Sequence, residues 1–81
     1  MKYDEEQTKR IEETYGSVEI YDKILELQEI EKWFTWYDTQ VLQYERSLRL
    51  GTEFDHDIKE LDDMAVKKAE RIKQLREELN I

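Results

Sequence analysis

The stretch RSLRLGTEFDHDI, residues 46–58, decides the fold, because it contains Gly51 in a chain of 81 residues that has no proline and only two glycines. Glycine readily adopts the left-handed backbone conformation found just past the end of a helix. Gly51 and Gly16 are therefore the strongest breaks in a charge-rich, periodic sequence that favours helix throughout. They divide one small domain, residues 1–81, into three segments that we expect to be helical: 1–16, 17–50 and 51–81.

The first segment predicts a short N-terminal helix, residues 1–16, with little apolar surface. Asp4 followed three residues later by Gln7 resembles a capping box, which favours a helix start. An isolated helix shorter than ~12–15 residues is marginal in water. We therefore expect this helix to be loosely attached or frayed, unless it docks on the rest of the chain through its apolar residues Tyr3, Ile11 and Tyr15.

The second segment predicts one long helix over residues 18–50. Ser17 is a good N-cap residue, and nothing breaks the helical pattern before Gly51. Apolar residues recur at spacings of three and four, which is the periodicity of one helix face, with one slip near Ile30. This stripe consists of Ile20, Ile24, Leu27, Ile30, Phe34, Tyr37, Val41, Tyr44 and Leu48.

The third segment predicts a second long helix over about residues 53–80, with Thr52 or Asp55 as its N-cap. Its stripe follows a strict heptad, a spacing that favours coiled-coil-like packing. The stripe consists of Phe54, Ile58, Leu61, Ala65, Lys68, Ile72, Leu75 and Leu79.

The short turn at Gly51 predicts that the two long helices fold back into an all-α antiparallel hairpin. Such a fold sets the bulky stretch Trp33–Tyr37 opposite Ala65–Ala69, and large residues facing small ones keep normal helix packing distances. Lys67 and Lys68 are then placed to lie over the aromatic rings.

Charge also favours the antiparallel orientation. Residues 17–31 contain five acidic residues and one lysine, whereas residues 64–81 contain five basic and three acidic residues. The hairpin places these two regions side by side. At the other end, it places Arg46 and Arg49 near three acidic residues, Glu53, Asp55 and Asp57.

A two-helix hairpin leaves part of the apolar surface uncovered, and two explanations of this surplus stay open. In the first, the N-terminal helix covers the aromatic stretch. In the second, the surplus is an interface, either for another protein or for a second copy that completes a four-helix bundle. The residues we assign to this candidate interface are Leu25, Trp33, Trp36, Tyr37 and Leu42.

The composition of the chain argues against a catalytic site or a metal site. The chain has no cysteine and a single histidine, so it cannot supply a thiolate site or a multi-histidine metal site. Glu53 and His56 form one Glu-x-x-His motif, whereas carboxylate-bridged bundles use two. No phosphate-binding loop or nucleophile motif is present. We expect no enzymatic activity, no metal or other cofactor, and no small-molecule substrate.

The net charge of −8 argues against nucleic-acid and anionic-membrane binding. We attribute the basic cluster near the C-terminus to pairing with the acidic half of the hairpin and with the helix dipole. No segment is apolar enough to cross a bilayer and no signal-peptide pattern opens the chain, so we expect a cytoplasmic protein.

These observations together predict a non-catalytic helical module for protein–protein interaction or assembly, as a homodimer or with another protein. The alternative is an acidic inhibitor that imitates nucleic acid and occupies a nucleic-acid-binding protein. The short, acidic, cysteine-free and helical character of the chain is similar to that of small accessory proteins encoded by bacterial phages and mobile elements, a resemblance that no motif carries.

Overall fold

The computed structural model describes residues 2–81. Within that range the chain forms three helices and no strand: α1 (Glu5–Tyr15), α2 (Val18–Leu50) and α3 (Ile58–Leu79). The long helix α2 packs against both α3 and α1. This confirms the predicted all-α helical hairpin with a short N-terminal helix. The molecule measures 55 × 24 × 18 Å, an elongated shape set by α2, whose 33 residues rise about 1.5 Å each.

The predicted helix ends around the two glycines are confirmed. Asp4 and Gln7 form a capping box, in which the Asp4 carboxylate accepts from the Gln7 backbone N–H at 2.7 Å. Ser17 caps α2 by accepting from the Ile20 N–H at 3.1 Å. Gly16 and Gly51, the C-cap residues of α1 and α2, both have positive φ, 98° and 69°, which glycine adopts readily.

The predicted start of the third helix, at about residue 53 with Thr52 or Asp55 as N-cap, is wrong. The N-cap is Asp57, whose carboxylate accepts from two backbone N–H groups, and the helix begins at Ile58. Residues 52–57 instead form a loop that returns over α2. Aromatic contacts hold this loop in place, because Phe54 packs edge-on against Tyr44 with ring centroids 5.4 Å apart.

The core lies in the half of the hairpin remote from Gly51. Leu27 and Ile30 of α2 cluster with Leu75 of α3, which is fully buried, and the half-buried residues Phe34 and Ile72 pack against this cluster. Every residue of the predicted α3 stripe is buried or half-buried. The predicted hairpin core is therefore correct in this half.

The predicted α2 stripe is wrong at its two ends, since Ile20 is 38 % exposed and Leu48 is more exposed still. Leu48 is 65 % exposed, and the buried residue there is Ser47, whose hydroxyl donates to the Tyr44 carbonyl at 2.6 Å. Gln40 is also buried. Gln40 and Ser47 are seven residues apart, and each directly precedes a residue of the predicted stripe, so the buried side of α2 at this end lies beside the predicted stripe.

Helix α1 docks on the first turns of α2 through tyrosine side chains. The ring of Tyr21 lies between those of Tyr3 and Tyr15, with centroids 5.8 and 4.8 Å away. The Tyr3 hydroxyl donates to Asp22 at 2.9 Å. Burial and this hydrogen bond raise the pKa of Tyr3 to about 12. No residue of α1 is fully buried, so this helix adds little to the core.

Candidate interaction surface

A continuous cluster of aromatic rings occupies the middle of the hairpin, between the aliphatic core and the loop 52–57. Its centre is Trp33, which stacks on Tyr37 with centroids 5.2 Å apart and meets Phe34 edge-on at 5.2 Å. The loop extends the cluster, because His56 packs edge-on against Trp36 at 5.5 Å. The complete cluster consists of Trp33, Phe34, Trp36, Tyr37, Tyr44, Phe54 and His56.

Side chains of α3 hold the inner part of this cluster. The Lys68 ammonium lies 5.2 Å from the centre of the Trp33 ring, which confirms the predicted placement of a lysine over the aromatic stretch. The Tyr37 hydroxyl donates to Asp62, and this hydrogen bond raises the pKa of Tyr37. Tyr37 is therefore committed to contacts within its own hairpin.

The outer part of the cluster is open to solvent. Trp36 and Met64 are each 40 % exposed. Met64 lies one turn before Lys68 on α3, and Trp36 lies about one turn after Trp33 on α2. Because Lys68 meets Trp33 and the helices are antiparallel, Met64 and Trp36 stand at the same level on the same side of the hairpin. We call this exposed patch, formed by Trp33, Trp36, His56 and Met64, the aromatic face.

An open groove of about 390 Å³ continues the aromatic face along the seam between α2 and α3. Arg71 crosses this seam and donates to both carboxylate oxygens of Glu26, at 2.8 and 2.9 Å. That hydrogen bonding holds the pKa of Glu26 below its usual value and raises that of Arg71. The groove is lined by Glu26, Glu29, Ile30, Trp33, Lys67, Lys68 and Arg71.

The predicted charge pairing between the two halves of the hairpin is only partly correct. The Glu26–Arg71 pair joins an acid of α2 to a base of α3, as predicted. Lys23 and Glu78 form a pair of the opposite sense at 3.4 Å. Arg46 and Arg49, which were predicted to lie near the acidic loop residues, form no ion pair within residues 2–81. The loop instead directs its aromatic rings to α2.

The five residues predicted as an interface do not form one patch. Trp33, Trp36 and Tyr37 lie together in the cluster, although Tyr37 faces α3. Leu25 shares the side of α2 that bears Trp36, but it is half-buried and lies three turns earlier, about 16 Å away. Leu42 is 63 % exposed and lies about 120° around α2 from Trp36.

Leu42 belongs to a second exposed patch that the sequence reading identified only in part. A groove of about 370 Å³ runs along α2 between Leu42 and Leu50. Leu50 is 69 % exposed, and the four-residue spacing from Leu42 through Arg46 to Leu50 is the signal that would have revealed it. We call this patch the leucine–arginine surface; it consists of Leu42, Glu45, Arg46, Arg49 and Leu50.

Helix α1 leaves the aromatic face exposed. The ring contacts and hydrogen bond that hold α1 reach Tyr21 and Asp22 of α2. Trp33 lies twelve residues beyond Tyr21, about 18 Å further along the helix. The explanation in which the N-terminal helix covers the aromatic stretch is therefore wrong.

Among residues 2–81 there is no group of three or more side chains placed to hold a metal ion. His56, the one histidine, packs between the rings of Trp36 and Phe54. In the same part of the chain no helix has the length and apolar character needed to cross a membrane.

Comparison with known proteins found no matching family model, no matching curated protein and no matching solved structure.

Proposed function

We propose that this protein is a non-catalytic module for protein–protein interaction and assembly, that the aromatic face is its binding surface, and that a second copy of the chain is its partner. The observation that carries the proposal is the exposure of Trp36 and Met64, each 40 % exposed, next to Trp33, which lines an open groove. Tryptophan and methionine are enriched at protein interfaces and rarely left on free surfaces in contiguous patches.

The small core supports self-association. Only four apolar residues of the described chain are buried: Leu27, Ile30, Leu61 and Leu75. A domain of this size gains little stability from its own core, and oligomerisation is a common remedy. Two hairpins that meet through their aromatic faces form a four-helix bundle, in which each face covers the other.

Charge on the groove also fits a second copy. Exposed Glu29 lies on the α2 wall of the groove and exposed Lys67 lies on the α3 wall. A two-fold bundle that sets α2 beside α3 of the second copy brings these opposite charges towards each other twice. Surface pairs contribute only ~0–1 kcal/mol each, so they select orientation while the rings supply most of the affinity.

A matched pair of substitutions on α3 tests the proposal. Met64→Glu places a charge in the aromatic face, whereas Val66→Glu changes a residue 61 % exposed on nearly the opposite side of the same helix. We expect sedimentation velocity to show weaker self-association for Met64→Glu and an unchanged one for Val66→Glu. Equal behaviour of the two variants, with helicity retained, contradicts the proposal.

The alternative of a nucleic-acid mimic is less well supported, because the negative charge of this chain is much smaller than that of a DNA duplex of the same length. Duplex DNA carries one negative charge per about 1.7 Å of axis, so 55 Å of duplex carries about 30 charges, whereas this chain has a net charge of −8. A mimic also binds its target less tightly as salt rises, whereas an aromatic interface is much less sensitive to salt. Salt dependence of the measured association therefore separates the two candidates.

A further inference from the structure

We propose that the leucine–arginine surface is a second self-contact, in which α2 of one copy crosses α2 of another antiparallel about a two-fold axis at Leu42. This contact is separate from the aromatic face, because Leu42 and Trp36 point about 120° apart around α2. It does not rest on the proposed function of the aromatic face.

The shape of the surface suits helix crossing. Asp38, Leu42, Arg46 and Leu50 follow one another at intervals of four residues, so they form a single ridge along α2. Ridges of this kind pack into one another when two helices cross at about 50°. Leu42 and Leu50 are both more than 60 % exposed, so this ridge has no apolar partner within its own hairpin.

The charges on the ridge select a second copy as the partner. Asp38 and Arg46 lie at equal distances on either side of Leu42. Neither forms an ion pair in the part of the chain that the structure describes. An antiparallel two-fold contact places Asp38 beside Arg46 of the second copy, and symmetry repeats the pair.

Other arrangements fit the same ridge less well. A parallel pairing sets Asp38 against Asp38 and Arg46 against Arg46, which repels at both ends. A wholly acidic partner suits Arg46 and Arg49 but meets Asp38 with like charge. The presence of both signs on one ridge therefore favours self-complementarity.

Two different two-fold contacts on one chain join dimers into a closed tetramer or an open chain. The aromatic face forms the bundle, and the leucine–arginine surface links one bundle to the next.

Sedimentation velocity of full-length variants tests the second contact separately from the first. Trp36→Glu disables the aromatic face, and we expect this variant to remain dimeric through the leucine–arginine surface. Trp36→Glu combined with Leu42→Glu should be monomeric. Trp36→Glu combined with Leu48→Glu is the matched control, since Leu48 is as exposed as Leu42 but lies on another side of α2, and this variant should stay dimeric.

A charge exchange adds a test of geometry. In the Trp36→Glu background, Asp38→Arg alone and Arg46→Asp alone should each weaken dimerisation about tenfold, because two ion pairs become two repulsions. The two changes together should restore it. Circular dichroism establishes that each variant stays helical, and Met64→Glu replaces Trp36→Glu as the background if that variant unfolds.

Each outcome decides a different point. A monomeric Trp36→Glu variant overturns the second contact and leaves the proposed function of the aromatic face intact. If Trp36→Glu is dimeric but Asp38→Arg and Arg46→Asp together do not restore the dimerisation that each weakens alone, the antiparallel two-fold geometry is overturned. A monomeric Leu42→Glu variant in an otherwise unchanged chain overturns the aromatic face while supporting the second contact.

Discussion

The two ends of the hairpin differ in how their side chains are used. At the end remote from Gly51, aliphatic residues Leu27, Ile30 and Leu75 form a core, Arg71 ties Glu26 across the seam, and α1 adds a third helix. At the end near Gly51, rings from a loop close the hairpin, and Leu42 and Leu50 stay exposed. The difference indicates that the cluster of buried aliphatic residues lies at one end, with Leu61 as the buried leucine of the other half, whereas surface suited to binding lies at the middle and the end near Gly51.

The largest expected effect separates a leucine of the first end from one of the second. Leu75→Ala should lower the free energy of unfolding by about 2–5 kcal/mol, because Leu75 is fully buried and its removal leaves a cavity. Leu48→Ala should change it by less than about 0.5 kcal/mol, because Leu48 is mostly exposed. Urea unfolding measures both. Similar losses from the two variants contradict the difference in burial between these two leucines.

A smaller loss of unfolding free energy is expected in the loop 52–57, where aromatic rings pack against α2. Phe54 is half-buried against Tyr44, so Phe54→Ala should cost about 2 kcal/mol, roughly half the loss typical of a core phenylalanine. The emission of Trp36 should also shift, because the loop that carries His56 loosens. Leu50→Ala, at an exposed neighbouring position, is the control. An unchanged emission spectrum in Phe54→Ala means that the loop does not depend on this ring.

The smallest effect concerns the ion pair across the seam. Arg71 lowers the folded-state pKa of Glu26, so this pair stabilises the fold above the unfolded carboxyl pKa of about 4.3 and loses its contribution as pH falls through the lower folded value. Both side chains are more than a third exposed, so solvent screening limits the effect to about 0–1 kcal/mol. Glu26→Gln should remove this part of the acid sensitivity in urea unfolding at pH 3 to 7. An identical pH profile for Glu26→Gln and the unchanged chain contradicts the assignment.

Local signals made most of the fold predictable from the sequence. Gly51 and Ser17 mark helix ends by their own backbone and side-chain chemistry, so they needed no tertiary information. The α3 stripe was predicted correctly because heptad spacing alone defines one face of a helix.

The start of α3 was missed because Thr52, Asp55 and Asp57 are all good N-cap residues within six positions. Asp57 is the N-cap while Phe54 of the loop packs against Tyr44 of α2, a contact made across the turn and not within one helix. The capping preferences of single residues do not include such a contact, so they could not select Asp57 over Thr52 and Asp55.

The tryptophans of the candidate surface could be predicted from the sequence, but the other residues that lie beside them could not. Trp33 and Trp36 could be singled out because large rings exceed what one hairpin can bury. Leu25 and Trp36 were grouped because helical periodicity aligns them on one side of α2, but periodicity does not bring two residues eleven positions apart close together. Met64 and His56 were missed because their place beside Trp36 depends on the hairpin register and on the loop.

Sedimentation velocity of the unchanged chain at tens of micromolar, followed by dilution, tests most directly whether the exposed surfaces are interfaces. We expect a species of at least twice the 10.0 kDa chain mass that dissociates on dilution, with Trp36 less accessible to quenchers in the assembled form. A single species of 10.0 kDa at every concentration, with tryptophan accessibility unchanged, would contradict self-assembly through either surface.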